Sequence, residues 1–141
     1  MIRKISTTIA AAAFMLTAVP AYSQDAEPAR TTYRIEFLKL KAGQQERWIE
    51  LGEKYFGPAT AAAGQKQPDV HYLMSGPWDI MMVMEMPRGM AMLDSHNPPE
   101  RAAFRTAFEK VAGSKEAAEK LFAEDDAIVT ESMVLYSHTH P

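Results

Sequence analysis

Four ionisable side chains suited to proton transfer or anion binding fall inside segments that read as strands: Arg34, Glu36, His71 and Glu85. Strand parity predicts that all four lie on the open side of a sheet. Ionisable groups enclosed there cost several kcal/mol each unless paired, so they should find one another or a ligand. His71 is placed within a strand, and an imidazole exchanges protons near neutral pH, which suits general acid–base work. Helped by Arg34 and Glu36, His71 would polarise or deprotonate a small carbonyl or phenolic compound. The same residues also fit a structural reading, an ion pair beside a hydrogen-bonded core histidine, because structural networks gather charge too.

Other side chains offer binding rather than catalysis. His96 precedes a predicted helix start, and a loop there can edge a ligand site or simply cap local backbone. Trp78, at a strand start after a turn, is placed to roof a pocket, with Tyr72 on the neighbouring strand; core packing is the alternative for both and for Trp48. Met81, Met82, Met84, Met86, Met90 and Met92 crowd one short stretch. Thioethers are soft ligands that select Cu(I), and Met82, Met84 and Met86 share one strand face, so Met84 and Met86 are the alternative metal ligands. Methionine is equally a flexible filler of irregular cores. His138 and His140 supply two imidazoles near the end of the chain, which do not close a metal site.

Several signatures are missing from the 141 residues. There is no glycine-rich phosphate loop, no Gly-x-Ser-x-Gly elbow, no His-Glu-x-x-His helix and no cysteine. Hydrolases of the familiar kinds are therefore not expected, nor is a bound cofactor. The net charge is −3, without a basic cluster, which argues against nucleic acid or anionic lipid as a partner.

Arg3 and Lys4 are followed by an uncharged run from Ile5 to Val19, then Pro20-Ala21-Tyr22-Ser23 and the polar Gln24-Asp25. A basic start, an apolar middle and a small-x-small site form a secretory pattern, so residues 1–23 are expected to be removed on export. The apolar run is shorter than the roughly 20 residues that span a bilayer. The expected product is periplasmic or secreted, without a membrane anchor. Residues 24–31 read as a flexible leader and 32–138 as one domain.

The elements that position these residues follow from periodicity. Tyr33, Ile35 and Phe37 alternate with Arg34, Glu36 and Leu38 in a first strand. Trp48, Leu51, Tyr55 and Phe56 give a helix over 44–56, which Gly57-Pro58 should kink or end before a last turn to Ala63 and a cap at Gly64. Strands over 70–74 and 78–86 flank Ser75-Gly76-Pro77 as a hairpin. Asn97-Pro98-Pro99-Glu100 predicts a helix start with Asn97 as cap. That helix stops at Gly113, Ser114 caps a second segment, and a final strand covers 131–138.

Strand, helix, strand, strand, broken helix, strand is a ferredoxin-like βαββαβ order. It predicts an α+β fold: a four-stranded antiparallel sheet, both helices on one face, first and third strands central. Every strand carries large apolar residues on both sides, which a solvent-facing sheet would not. Pairing of the open face with a second copy is the expected remedy. The element order, the Ser75-Gly76-Pro77-Trp78-Asp79 turn and the split second helix resemble the dimeric α/β-barrel superfamily over about Thr32 to His138. That resemblance implies a homodimer and a small cavity between sheet and helices. It is equally compatible with small-molecule binding and with cofactor-independent monooxygenase or isomerase chemistry.

Overall fold

Alternation beginning at Thr32 makes β1 (Thr32–Leu40), the strand on which the rest of the sheet is assembled. The computed structural model describes residues 30–140. The expected secretory segment, 1–23, and the leader as far as residue 29 lie outside the described residues. After β1 come α1 (Gln45–Leu51), a π-helical turn (Gly52–Phe56), α2 (Gly57–Ala62), β2 (Asp69–Tyr72) and β3 (Ile80–Met86). A 3-10 turn (Gly89–Leu93), α3 (Pro99–Ala112), α4 (Lys115–Ile128) and β4 (Val129–His138) complete the chain. β3 and β4 pair antiparallel with β1, and β2 pairs antiparallel with β3, giving the order β2-β3-β1-β4. The ferredoxin-like α+β architecture is thus the observed one, with the first and third strands at the centre.

One face of this sheet is covered. Leu38 and Leu40 of β1, Ile80 of β3, Leu51 of α1 and Ile128 of α4 form a buried cluster, extended by Trp48, Tyr55, Phe56, Met82 and Leu121. A second cluster joins the helices to one another through Ala59, Ala107, Phe108 and Ala118. Phe108 stacks on Phe122 at 4.4 Å and meets Phe56 at 4.8 Å between ring centroids. Small alanines let the helices approach, and the aromatic rings fill the space that this leaves.

The first helix does not end at Gly57-Pro58. Pro58 has no N–H to give, and its ring would crowd the carbonyl four residues back. The π-helical turn absorbs this: the Gly57 N–H bonds to the Gly52 carbonyl, five residues back. A Cβ at Gly57 would stand 3.1 Å from that same oxygen, a contact that would press on the backbone of the turn. The helix stops where expected. The Gln65 N–H bonds to Thr60 O at 3.1 Å and the Gly64 N–H to Ala61 O at 3.0 Å, while Gly64 takes φ +69.

Two further boundaries differ from the sequence reading. Pro98, not Asn97, is the N-cap of α3, with Pro99 as first helical residue; a residue that precedes proline is held extended, so Asn97 sits one position too early. β3 starts at Ile80 rather than at residue 78, because Asp79 serves β1 instead. The Asp79 N–H donates to Leu38 O at 2.9 Å, and its carboxylate accepts from the Leu40 N–H at 2.7 Å. That second bond occupies the register shift between Lys39 and Leu40, where the ladder to β4 is interrupted.

Candidate functional site

Arg34 and Glu36 share the parity of Leu38 and Leu40, so they lie on the helix-covered side of the sheet. Their side chains form an ion pair at 2.7 Å, with 33% of Arg34 and 17% of Glu36 exposed. The Arg34 guanidinium also approaches the Met84 sulfur at 3.7 Å, from the register position directly opposite on β3. Beyond Leu38 the helices no longer seal this face, and a charged pair replaces the aliphatic core.

The floor continues outward along the same parity. Arg34 is paired across the sheet with Tyr136 of β4, and Thr32 with His138. An open cleft of about 380 Å³ lies here, lined by Arg30, Thr32, Met90, Tyr136, Ser137 and His138. Met90 reaches it from the 3-10 turn, and Tyr136 and Met90 are 43% and 50% exposed. The Arg30 guanidinium lies 3.1 Å from His138 Nε2, and the His138 and His140 rings meet edge-on at 4.9 Å. Hydroxyl, guanidinium and imidazole donors with an apolar flank make this lining suited to a small acceptor-bearing organic molecule.

Away from the cleft, at the Leu38–Leu40 end of β1, α4 covers this face. Its buried stripe runs Ala118, Leu121, Asp125, Ile128, a spacing of three and four that sets a carboxylate where a hydrophobe is due. Asp125 is half-buried, and no hydrogen bond or ion pair holds its carboxyl among the described residues. Desolvation first, and then the negative charges of Asp126 and Glu36, push it up to about 6. By contrast, Glu124 and Glu50 have cations: they hold Arg47 at 2.6 and 2.7 Å, and Glu50 also takes Lys54.

The sheet does not bring His71 to Arg34 and Glu36. His71 is opposite Met81 and Glu85 opposite Tyr33, parities that place both on the uncovered face. The expectation that all four charges share one side is therefore corrected: they divide two and two, because β2 enters the sheet with Tyr72, not His71, opposite the buried Ile80. Glu85 is paired with Lys66 at 3.0 Å. Tyr72 is 49% exposed on the edge strand, on the cleft's side but separated from β4 by two strands. Trp78 packs on Phe37 at 6.2 Å, on the uncovered side, and so does not roof the cleft. His96 is exposed, and its carbonyl accepts from Arg101 at 3.2 Å. Met82 joins the core, Met86 is buried at 6% exposure, and Met84 lies against Arg34.

Asp125, Tyr136 and Thr32 were not singled out by the sequence reading, Met90 entered it only as one of the clustered methionines, and His138 was set aside. Only Asp125 carried a sequence signal, an acid on an otherwise apolar helical stripe.

Among solved structures, a NIPSNAP family protein of unknown function from Agrobacterium tumefaciens superposes with a TM-score of 0.52. It is 13% identical, and the match covers 78% of this chain and 88% of that one. A second NIPSNAP family protein from the same organism gives a TM-score of 0.53 at 11% identity, over 77% and 85% of the two chains. The chain folds like a NIPSNAP family protein. At these identities the NIPSNAP likeness concerns the ferredoxin-like α+β fold alone. No protein-family model matches the sequence, and no curated protein matches it.

Proposed function

We propose that this chain is an exported, homodimeric domain that binds a small, partly apolar molecule in the cleft between β1, β4 and the 3-10 turn. The observation that carries this reading is the half-buried Arg34–Glu36 pair, set on β1 beside Tyr136 and Thr32 of an open, donor-lined cleft. Charge of this kind is expensive to keep under a helical layer unless something uses it. The secretory pattern at residues 1–23 supports export. The apolar uncovered face supports dimerisation: Ile35 and Phe37 of β1, Met81 and Val83 of β3, and Met133 and Leu135 of β4 lie side by side in register.

Native mass spectrometry of the protein recovered from the periplasm tests the reading. A dimer carrying a defined organic mass that is released by Arg34→Gln supports it. An empty monomer that binds no small molecule in a ligand screen overturns it. The cofactor-free enzyme reading retains Arg34 and Glu36 but not His71 as their partner. The copper reading is weighed down by Arg34, whose guanidinium occupies the Met84 sulfur that Cu(I) would need.

A further inference from the structure

Thioether sulfur is open to mild oxidants, and the fold sorts the methionines sharply by access. Met86 is buried, Met82 is packed into the core, and the Met84 sulfur lies 3.7 Å from the Arg34 guanidinium. Met81 and Met133 belong to the uncovered face, and Met92 is partly buried in the 3-10 turn. Met74, in the connection between β2 and β3, is fully exposed, and Met90 is half exposed. Oxidation of methionine follows access, so Met74 and Met90 are the first that a peroxide reaches.

These two differ in what surrounds them. Met74 stands in solvent, whereas Met90 lines the cleft together with Arg30, Thr32, Tyr136, Ser137 and His138, each of which carries a side-chain donor. The turn is held close to that lining: a Cβ on Gly89, the residue before Met90, would stand 3.3 Å from Thr32 Oγ1. A thioether is a weak acceptor and gives those donors little to bond. A sulfoxide is polar, and its oxygen is a strong acceptor formed among them.

Resting on the cleft as the binding site, we propose that Met90 is a reversible oxidation site, converted by hydrogen peroxide to a sulfoxide that the cleft's own donors hold and that keeps a small molecule out. The Met90 sulfur attacks one peroxide oxygen, forming the S–O bond as the O–O bond breaks. Sulfur loses two electrons, and the displaced hydroxide takes the proton of the transferred hydroxyl and leaves as water. Two thiols of a methionine sulfoxide reductase supply the electrons for the return, releasing water and forming a disulfide. While oxidised, the apolar flank at Met90 is polar, and the donors of Thr32 and Tyr136 are occupied.

Peptide mapping by mass spectrometry tests this, on protein recovered from the periplasm and treated with graded hydrogen peroxide. Met74 and Met90 are expected to gain one oxygen at rates within about fivefold of each other, with Met82, Met84 and Met86 at least about tenfold slower. A mixture of the two reductases, one for each sulfoxide epimer, should restore Met90 several-fold more slowly than Met74, and the Thr32→Val/Tyr136→Phe double variant should narrow that gap. Acetophenone, an apolar ring with one acceptor, serves as the cleft probe. It should shift the amide resonances of Tyr136 and His138 before oxidation, not after it, and again after reduction; Met74→Leu should behave as the parent does. Met90 left unoxidised when Met74 is fully converted overturns the inference and leaves the cleft as a binding site. So does a Met90 sulfoxide that is restored equally fast in parent and double variant, or one that leaves the acetophenone shifts unchanged. If acetophenone and the other members of a ligand screen move no cleft amide before oxidation, the binding reading fails and exclusion fails with it, while the oxidation site still stands or falls on the two rates.

Discussion

Asp125 is the residue at which local pattern and tertiary environment disagree most. Its carboxyl is held up to about 6 in the folded chain, by desolvation and by Asp126 and Glu36, and returns to its ordinary range near 3.8 on unfolding. The folded state therefore holds the extra proton between these values. Stability associated with it is complete below about pH 4 and is lost as pH rises through 6. Asp125→Asn is expected to be more stable than the parent at pH 8 by on the order of 1 kcal/mol, allowing for solvent screening at a half-exposed site. The difference should vanish near pH 4, as read from urea denaturation at both pH values. Arg34→Gln acts in the opposite sense, because it leaves Glu36 largely enclosed without its cation. A loss of about 1–2 kcal/mol at pH 7 is expected from the same measurement. Arg34 and Glu36 were legible from the sequence as a charged pair, which they form. Their separation from His71 was not, because it depends on which residue of β2 faces Ile80.

At the scale of elements, most boundaries rest on single side chains that a sequence displays. Ser114 opens α4 by accepting from the Ala117 N–H at 3.1 Å, as its position after Gly113 implies. Ser114→Ala should cost about 1 kcal/mol in chemical denaturation, with α4 exchanging its amide hydrogens faster than α3. Asp79 behaves differently. Read along the chain it is one more turn residue, but its carboxylate completes the hydrogen bonding of β1 at the Leu40 bulge. Asp79→Ala is expected to cost about 1–2 kcal/mol, more than a solvent-facing turn position would. The π-helical turn was also hidden. Gly57-Pro58 signals a break, and only the packing of Tyr55 and Phe56 against both clusters shows why the helix is held continuous across it.

For the whole molecule, the decisive feature is the asymmetry between the sheet's two faces. Phe108, Leu51 and Ile80 are fully buried on the helical side, while Met133 and Leu135 remain 37% and 47% exposed on the other. A second copy laid on that face would bury the in-register patch around Ile35 and Val83. Ile35→Lys and Val83→Lys are each expected to convert the proposed dimer to monomer in sedimentation velocity at micromolar concentration, with helical content unchanged by circular dichroism. A parent protein that sediments as a monomer would remove the reason for the two-sided apolar strands. Among the described residues no helix is long and apolar enough to cross a membrane.

The sequence by itself determined the order of elements, the antiparallel sheet and the central place of β1 and β3, because period-two and period-three-to-four patterns are local and handed connections leave few topologies. It also exposed the apolar character of both sheet faces. Tertiary structure alone decided the site. Residues that meet there come from β1, β4 and the 3-10 turn, which are far apart in sequence and are joined by register, not by any motif. One position of register in β2 moved His71 out of the cluster, and the docking of α4 brought Asp125 to Glu36. Side-chain parity is fixed within a strand, but which parity becomes interior is settled only when the helices pack.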